Sequence, residues 1–157
     1  MNTKMRVEFT VTGHPPKKHG EKSMWARDDE APKVASLREK ASEAMSKAGL
    51  DGTFESLVSL ELRVFVPKSQ LESVGDLDNF ITGVCDSLQA ADSKVLPYLD
   101  MNLVGLKGKS DPKHPLLISN DAKVVSIIAR KIALEENQNI YYEVAVEPFS
   151  QDILSQE

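Results

Sequence analysis

The strongest constraint on this chain is a change of hydrophobic period along it. Four segments carry the alternation or the β-branched run of a strand, and two segments between them switch to helical spacing. MRVEFTVTG (5–13) sets Val7, Phe9 and Val11 against polar neighbours, as a strand with one buried face does. SLVSLELRVFVP (56–67) is β-rich, alternates less strictly and stops at a proline. AKVVSIIARKIAL (122–134) is a long β-branched strand headed by Asn120-Asp121, and NIYYEVAVEP is a last strand. Between the first two, Val34, Leu37, Ala41, Ala44, Met45 and Ala48 share one stripe of a helix over 33–48, which Gly49 is placed to end. Between the second and third, Phe80, Ile81, Val84, Cys85 and Leu88 form the apolar face of a helix over 78–88, with Asp78, Thr82 and Asp86 on the other side. Gly83 inside that helix costs about 1 kcal/mol relative to alanine and marks a close approach of another backbone or a ligand. The order β-α-β-α-β-β predicts an α/β (α+β) domain, a mixed sheet of about four strands with two main helices.

The connections differ in character. HPPKKHGEKSMWARDDEAP (14–32) is a charged, proline-bearing loop. Residues 89–119 hold short apolar pieces around GLKGKSDPKHP and read as a long, partly irregular connection, a kind that often carries function. Asn137-Gln138-Asn139 suits a hairpin turn between the last two strands. The single domain is expected over 1–149, with 150–157 a flexible tail. His14, His19 and His114 fall in loops without ligand spacing, and Cys85 reads as a small core residue. Trp25 suits either stacking on a base or packing over the core.

A length of 157 residues fits one domain with a real core. No apolar run reaches the ~18 residues of a membrane span, and MNTKMRVEFTV lacks the apolar centre of a signal peptide. A single cysteine excludes a disulfide framework and a multi-cysteine zinc site, so a cytoplasmic protein without a membrane partner is expected. The net charge of -5 at first argues against nucleic acid. The excess is local, however: residues 132–157 hold Glu135, Glu136, Glu143, Glu147, Asp152 and Glu157 and no Lys or Arg. Elsewhere Lys17, Lys18, Lys22 and Arg27 form one basic group, and Lys107, Lys109, Lys113, Lys123, Arg130 and Lys131 another. Such patches bind phosphates even on an acidic chain, although solvated basic loops look the same on charge alone.

Asp76 and Asp78 flank Leu77 just ahead of the second helix. In an extended turn, residues two apart point the same way, so both carboxylates can face one ion. Capping explains one of them, because Asp is a favoured N-cap and suits the helix dipole. Two, followed by Asn79, exceed that need. Asp121 alone suits an Asx turn at a strand start. Acids on a turn, a helix start and a strand end also offer the hard oxygens that Mg²⁺ takes, with positions left for water and phosphate.

GDLDNFITGVCDSL followed by NDAKVVSIIARK is similar to the RusA family of Holliday junction resolvases. The matching steps are Asp76-Leu77-Asp78-Asn79, Asp86-Ser87-Leu88, Asp121-Ala122-Lys123-Val124 and Lys131. FTVTGHPPKK resembles that family's opening strand and G-x-P-x-x-K turn, so the resemblance touches most of residues 5–147. It implies a homodimeric endonuclease dependent on Mg²⁺, with Mn²⁺ the alternative ion, cutting paired strands of a four-way DNA junction. It also implies that Asp76, Asp78 and Asp121 are the catalytic acids and metal ligands. A dimer suits paired cuts, because a two-fold axis relates two sites.

This chain departs from that pattern at Thr82, where the family usually carries a lysine, and at Asn120, where an Asp-Asp pair is often found. Its connection over 90–119 is also longer. The expectation is that Lys123, on the strand face of Asp121, or a lysine of the 107–113 loop supplies the missing cation. Lys131 stands about 33 Å along the strand from Asp121, too far for that role. Lys17, Lys18, Lys107, Lys109, Lys113 and Lys131 are the expected DNA contacts. The alternative reading is a branched-DNA-binding protein of the same fold that does not cut.

Overall fold

The computed structural model describes residues 5–18, 23–92 and 94–150, and of Tyr98 and Lys109 it describes the backbone. His19, Lys22 and most of the expected tail (151–157) lie outside the described residues. The elements are β1 (Val7–Thr12), α1 (Ala31–Ala48), β2 (Val58–Pro67), α2 (Leu77–Leu88), a short α3 (Met101–Val104), β3 (Val124–Leu134) and β4 (Tyr141–Pro148). This is an α+β fold with one mixed sheet of four strands and two long helices.

Both long helices form where the apolar period places them. Val34, Leu37, Ala41 and Met45 of α1 are buried, and Gly49 ends the helix in the left-handed region at φ 73, returning its N–H to Met45 and Ser46. Phe80, Val84, Cys85 and Leu88 of α2 are buried. Burial pushes the Cys85 thiol up to about 12, as suits a core residue rather than a nucleophile.

The strand order is β1-β4-β2-β3. β4 pairs antiparallel with both β1 and β2, whereas β2 and β3 run parallel and are joined through α2. The hairpin expected at 137–139 is therefore corrected: β3 and β4 are consecutive in sequence, yet β2 lies between them. The physical reason is the demand of β2. β4 lies on one side of it and β3 on the other, and its Val58, Leu60, Leu62, Val64 and Val66 are at most 1% exposed. β3 takes the edge instead, with Val125, Ile127 and Ile128 about half exposed. The sheet face away from the helices carries an ion-pair ladder: Arg63 meets Glu8 at 2.8 Å and Glu143 at 2.9 Å, and Arg6 meets Glu61 and Glu147 at 3.3 Å.

A second, smaller core gathers Met24, Trp25, Ala31, Val34 and Leu103, beside the 89–119 connection. Trp25 is 6% exposed, with the Arg38 guanidinium 5.2 Å from its ring centroid, so of its two readings the packing one holds. Arg38 itself is fully buried. It donates to the carbonyl oxygens of Ser87, Gln89, Ser110, Asp111 and His114. One side chain thus clasps both ends of the long connection against α1. Burial brings its guanidinium down to about 10, with nearby Asp111 opposing the shift.

Tyr142 on β4 is the counter-case. Its hydroxyl is buried without a hydrogen-bond partner among the described residues, and burial drives its ionisation upward. Removing an unpaired buried hydroxyl recovers its desolvation cost. Tyr142→Phe is expected to raise stability by about 1 kcal/mol; a lower thermal midpoint than the parent chain contradicts this.

Candidate functional site

The acids singled out in the sequence are all exposed, and they sit at two ends of α2. Asp76 is the N-cap residue of α2 in extended conformation, and its side chain makes no capping bond. Asp78 is already inside the first helical turn. The alternation argument that aimed both carboxylates the same way thus does not apply, because the helix begins between them. What remains is a pair of acids at a helix N-terminus whose carboxylates have no hydrogen-bond or ion-pair partner among the described residues. The dipole favours anions there, and capping does not occupy them.

Asp121 lies at the other end. Its Oδ1 accepts from Nε2 of Gln89, the residue that ends α2, at 2.7 Å, and Gln89 also donates to the Cys85 carbonyl at 3.1 Å. α2 has twelve residues, hence a length of about 18 Å. The three expected acids therefore do not converge within one chain. Among the described residues no group of three or more His, Cys, Asp or Glu side chains is close enough to hold a metal ion.

Asp121 also lies close enough to Asp86 for the two like charges to interact. Half-buried, the Asp86 carboxyl is raised first by burial and further by the Asp121 charge, against the pull of Lys18. Lys18 reaches this end of α2 from the loop after β1, its Nζ 4.0 Å from Asp86 Oδ2. Asp78, Thr82 and Asp86 follow at intervals of one helical turn, so α2 presents one acidic face from end to end. Thr82 is exposed on it, and its hydroxyl donates to the Asp78 carbonyl at 3.0 Å.

The remaining lysines separate. Lys123 belongs to a 3-10 turn over Asp121–Lys123, not to the strand, so it does not share a strand face with Asp121; its Nζ donates to the Glu55 carbonyl at 3.5 Å. Lys131 donates to the Leu71 carbonyl at 2.6 Å and so pins the turn after β2, which leaves it poorly disposed toward DNA. Lys107 and Lys113 are exposed on the segment that Arg38 holds beside the end of α2. The Lys109 side chain lies outside the described residues. Lys17 and Lys18 lie on the segment after β1, where its backbone meets α2.

Sequence reasoning placed Asp86 on the polar face without a role, and passed over Gln89, Glu30 and Arg38. The turn-by-turn spacing of Asp78, Thr82 and Asp86 was the available signal for the first. An arginine inside the stripe of Val34, Leu37 and Ala41 was the signal for the last. No protein-family model matches the chain, and no curated protein is found to be similar to it.

Proposed function

We propose that this chain is a Mg²⁺-dependent endonuclease of RusA type that resolves four-way DNA junctions as a homodimer. The observation that carries the reading is the pair of exposed carboxylates of Asp76 and Asp78, uncapped at the start of α2, on a helix whose Asp86 meets Lys18 toward its other end. Mg²⁺ takes as few as one or two carboxylates together with water and substrate phosphate oxygens, and the exposed Asp76 and Asp78 are the acids the reading assigns to it. When bound, the ion polarises the phosphate and promotes deprotonation of water. Asp76 and Asp78 would hold it. Lys17, Lys18, Lys107 and Lys113 contact phosphates and orient the strand. Water adds to phosphorus and the P–O3′ bond breaks. One proton of the water ends on O3′, and the other leaves from the new 5′-phosphate.

The separation of Asp121 from the pair gives the dimer a chemical purpose. We propose a two-fold axis crossing α2 near Thr82, which would lay two copies of the helix antiparallel. Asp76 and Asp78 of one protomer then face Asp86 and Asp121 of the other, and two equivalent sites form.

The direct experiment incubates an end-labelled synthetic four-way junction with the protein, with and without Mg²⁺. Symmetric nicks that depend on Mg²⁺ and vanish in Asp76→Asn support the reading. A retarded but uncut junction supports the non-cutting alternative, and no retardation at low salt removes both. Junction affinity should also fall roughly 10³-fold between 50 and 200 mM salt if the dimer makes six or more phosphate contacts. A flat salt dependence contradicts the assignment of the lysines.

A further inference from the structure

Thr82 leaves the acidic face of α2 without the cation that a phosphate-cleaving site needs, and the loop after β1 brings one in. Pro15 and Pro16 are buried, and proline fixes φ at both positions. Pro16 lies flat on α2 at Gly83: a Cβ on that glycine would stand 2.1 Å from the Pro16 carbonyl oxygen and 3.0 Å from the Lys17 nitrogen. Only glycine admits this contact. The next two backbone N–H groups are then anchored. Lys17 N donates to Glu30 Oε1 at 2.8 Å, and Lys18 N donates to the Asn79 carbonyl at 3.3 Å. Glu30 is 2% exposed and does not cap α1, so its carboxylate is dedicated to Lys17 N and to the Lys33 ammonium at 3.3 Å. Lys18 is thereby fixed at its backbone, with a side chain one third exposed that reaches Asp86. At 4.0 Å the pair is a charge contact rather than a hydrogen bond, so the ammonium keeps its donors for another anion.

We infer that Lys18 is the phosphate-facing cation of this site, standing in for the lysine absent at position 82, and that Gly83 is the positioning residue that holds it there. The inference rests on the endonuclease reading and adds to it a residue that sequence position had assigned only to general DNA contact. Among the described residues, Lys18 is the lysine that forms an ion pair with an acid of this face. A preorganised cation aimed at the transferred phosphoryl group stabilises charge as it develops, and removing one such donor costs about 100-fold in rate.

The test compares the parent dimer with Lys18→Met, Gly83→Ala and each of these combined with Thr82→Lys, in single-turnover cleavage of a labelled four-way junction with Mg²⁺. Lys18→Met should lower the cleavage rate about 100-fold. Junction affinity should stay within about fivefold, the worth of one exposed ion pair. Gly83→Ala should lower the rate in the same way, with circular dichroism showing the secondary structure retained and a lower thermal midpoint as the Pro16 backbone is displaced. Thr82→Lys should restore cleavage in both, because it returns a cation to the same helix face. A parent chain that cuts while Lys18→Met cuts equally fast overturns the inference and leaves the endonuclease reading standing. Loss of affinity with an unchanged rate does the same, by making Lys18 a simple phosphate anchor. A parent chain that cuts no junction overturns both.

Discussion

Replacing Arg38 with methionine is expected to lower stability by about 4 kcal/mol, the scale set by removing one partner from a buried charged network. The guanidinium serves carbonyls from the end of α2 (Ser87, Gln89) and from the far end of the long connection (Ser110, Asp111, His114). Without it, those oxygens keep their burial and lose their donor, at roughly 1–3 kcal/mol each where no water enters. Two effects oppose this. Methionine removes the cost of burying a charge, which is visible in the depressed ionisation of Arg38. Water can also reach the acceptors nearest the surface. The number of orphaned carbonyls outweighs both, and the loss of the stack over Trp25 adds to it. Lysine does not substitute, since its three donors radiate from one nitrogen while the acceptors here surround a planar fork. Urea unfolding should show a midpoint about 2 M lower for Arg38→Met, taking a denaturant slope near 2 kcal/mol/M. Proteolysis should first cut between residues 89 and 119. A midpoint within about 0.5 M of the parent would remove Arg38 from its structural role.

On the proposed endonuclease reading, Asp76→Asn and Asp121→Asn are each expected to lose cleavage by at least about 100-fold, the several kcal/mol that a metal-centred charge arrangement would supply. Neither should unfold the chain. Asparagine caps a helix as well as aspartate does, and at position 121 it keeps the oxygen that Gln89 donates to. The informative experiment mixes the two inactive proteins under conditions that exchange subunits. If each site takes Asp76 and Asp78 from one protomer and Asp121 from the other, every mixed dimer has one site with both defects and one with none. Mixed dimers form half of an equal mixture, so nicking should recover to about a quarter of the parent rate. These dimers should nick one strand without the paired second cut. If all three acids acted within one chain, each site would retain a defect and no activity would return. Recovery therefore decides between the two arrangements without a structure of the dimer.

Much of the fold was legible from period and punctuation. The stripe of Val34 to Ala48 with Gly49 behind it and the alternation of Val7, Phe9 and Val11 are local signals, and local signals survive folding. The place of β2 in the sheet was not local. Nothing in NQN tells a chain that another strand will lie between the two it joins; that choice is made by the buried face of β2 and by α2 crossing back in parallel. The candidate site divides along the same line. Asp76 and Asp78 announced themselves by spacing, and Gly83 announced a close approach that Pro16 fulfils. The strand face expected to be shared by Lys123 and Asp121 does not form, because a 3-10 turn replaces the first residues of the strand, and in such a turn residues two apart no longer share a face. Lys18 and Asp86 are sixty-eight positions apart in sequence and meet through packing alone.

The position of β4 has a consequence for the birth of the molecule. Among the described strands β1 is made first, yet its partner in the sheet is β4, made after the other three. β2 and β3 can pair as soon as α2 has crossed between them, whereas β1 waits until Tyr141–Pro148 slides into the gap beside β2. Until then two strand edges stand open, and the sheet closes by inserting its C-terminal strand between elements made earlier. Contacts between such distant parts of a chain slow folding. Only once Tyr141–Pro148 has been made can this sheet become whole.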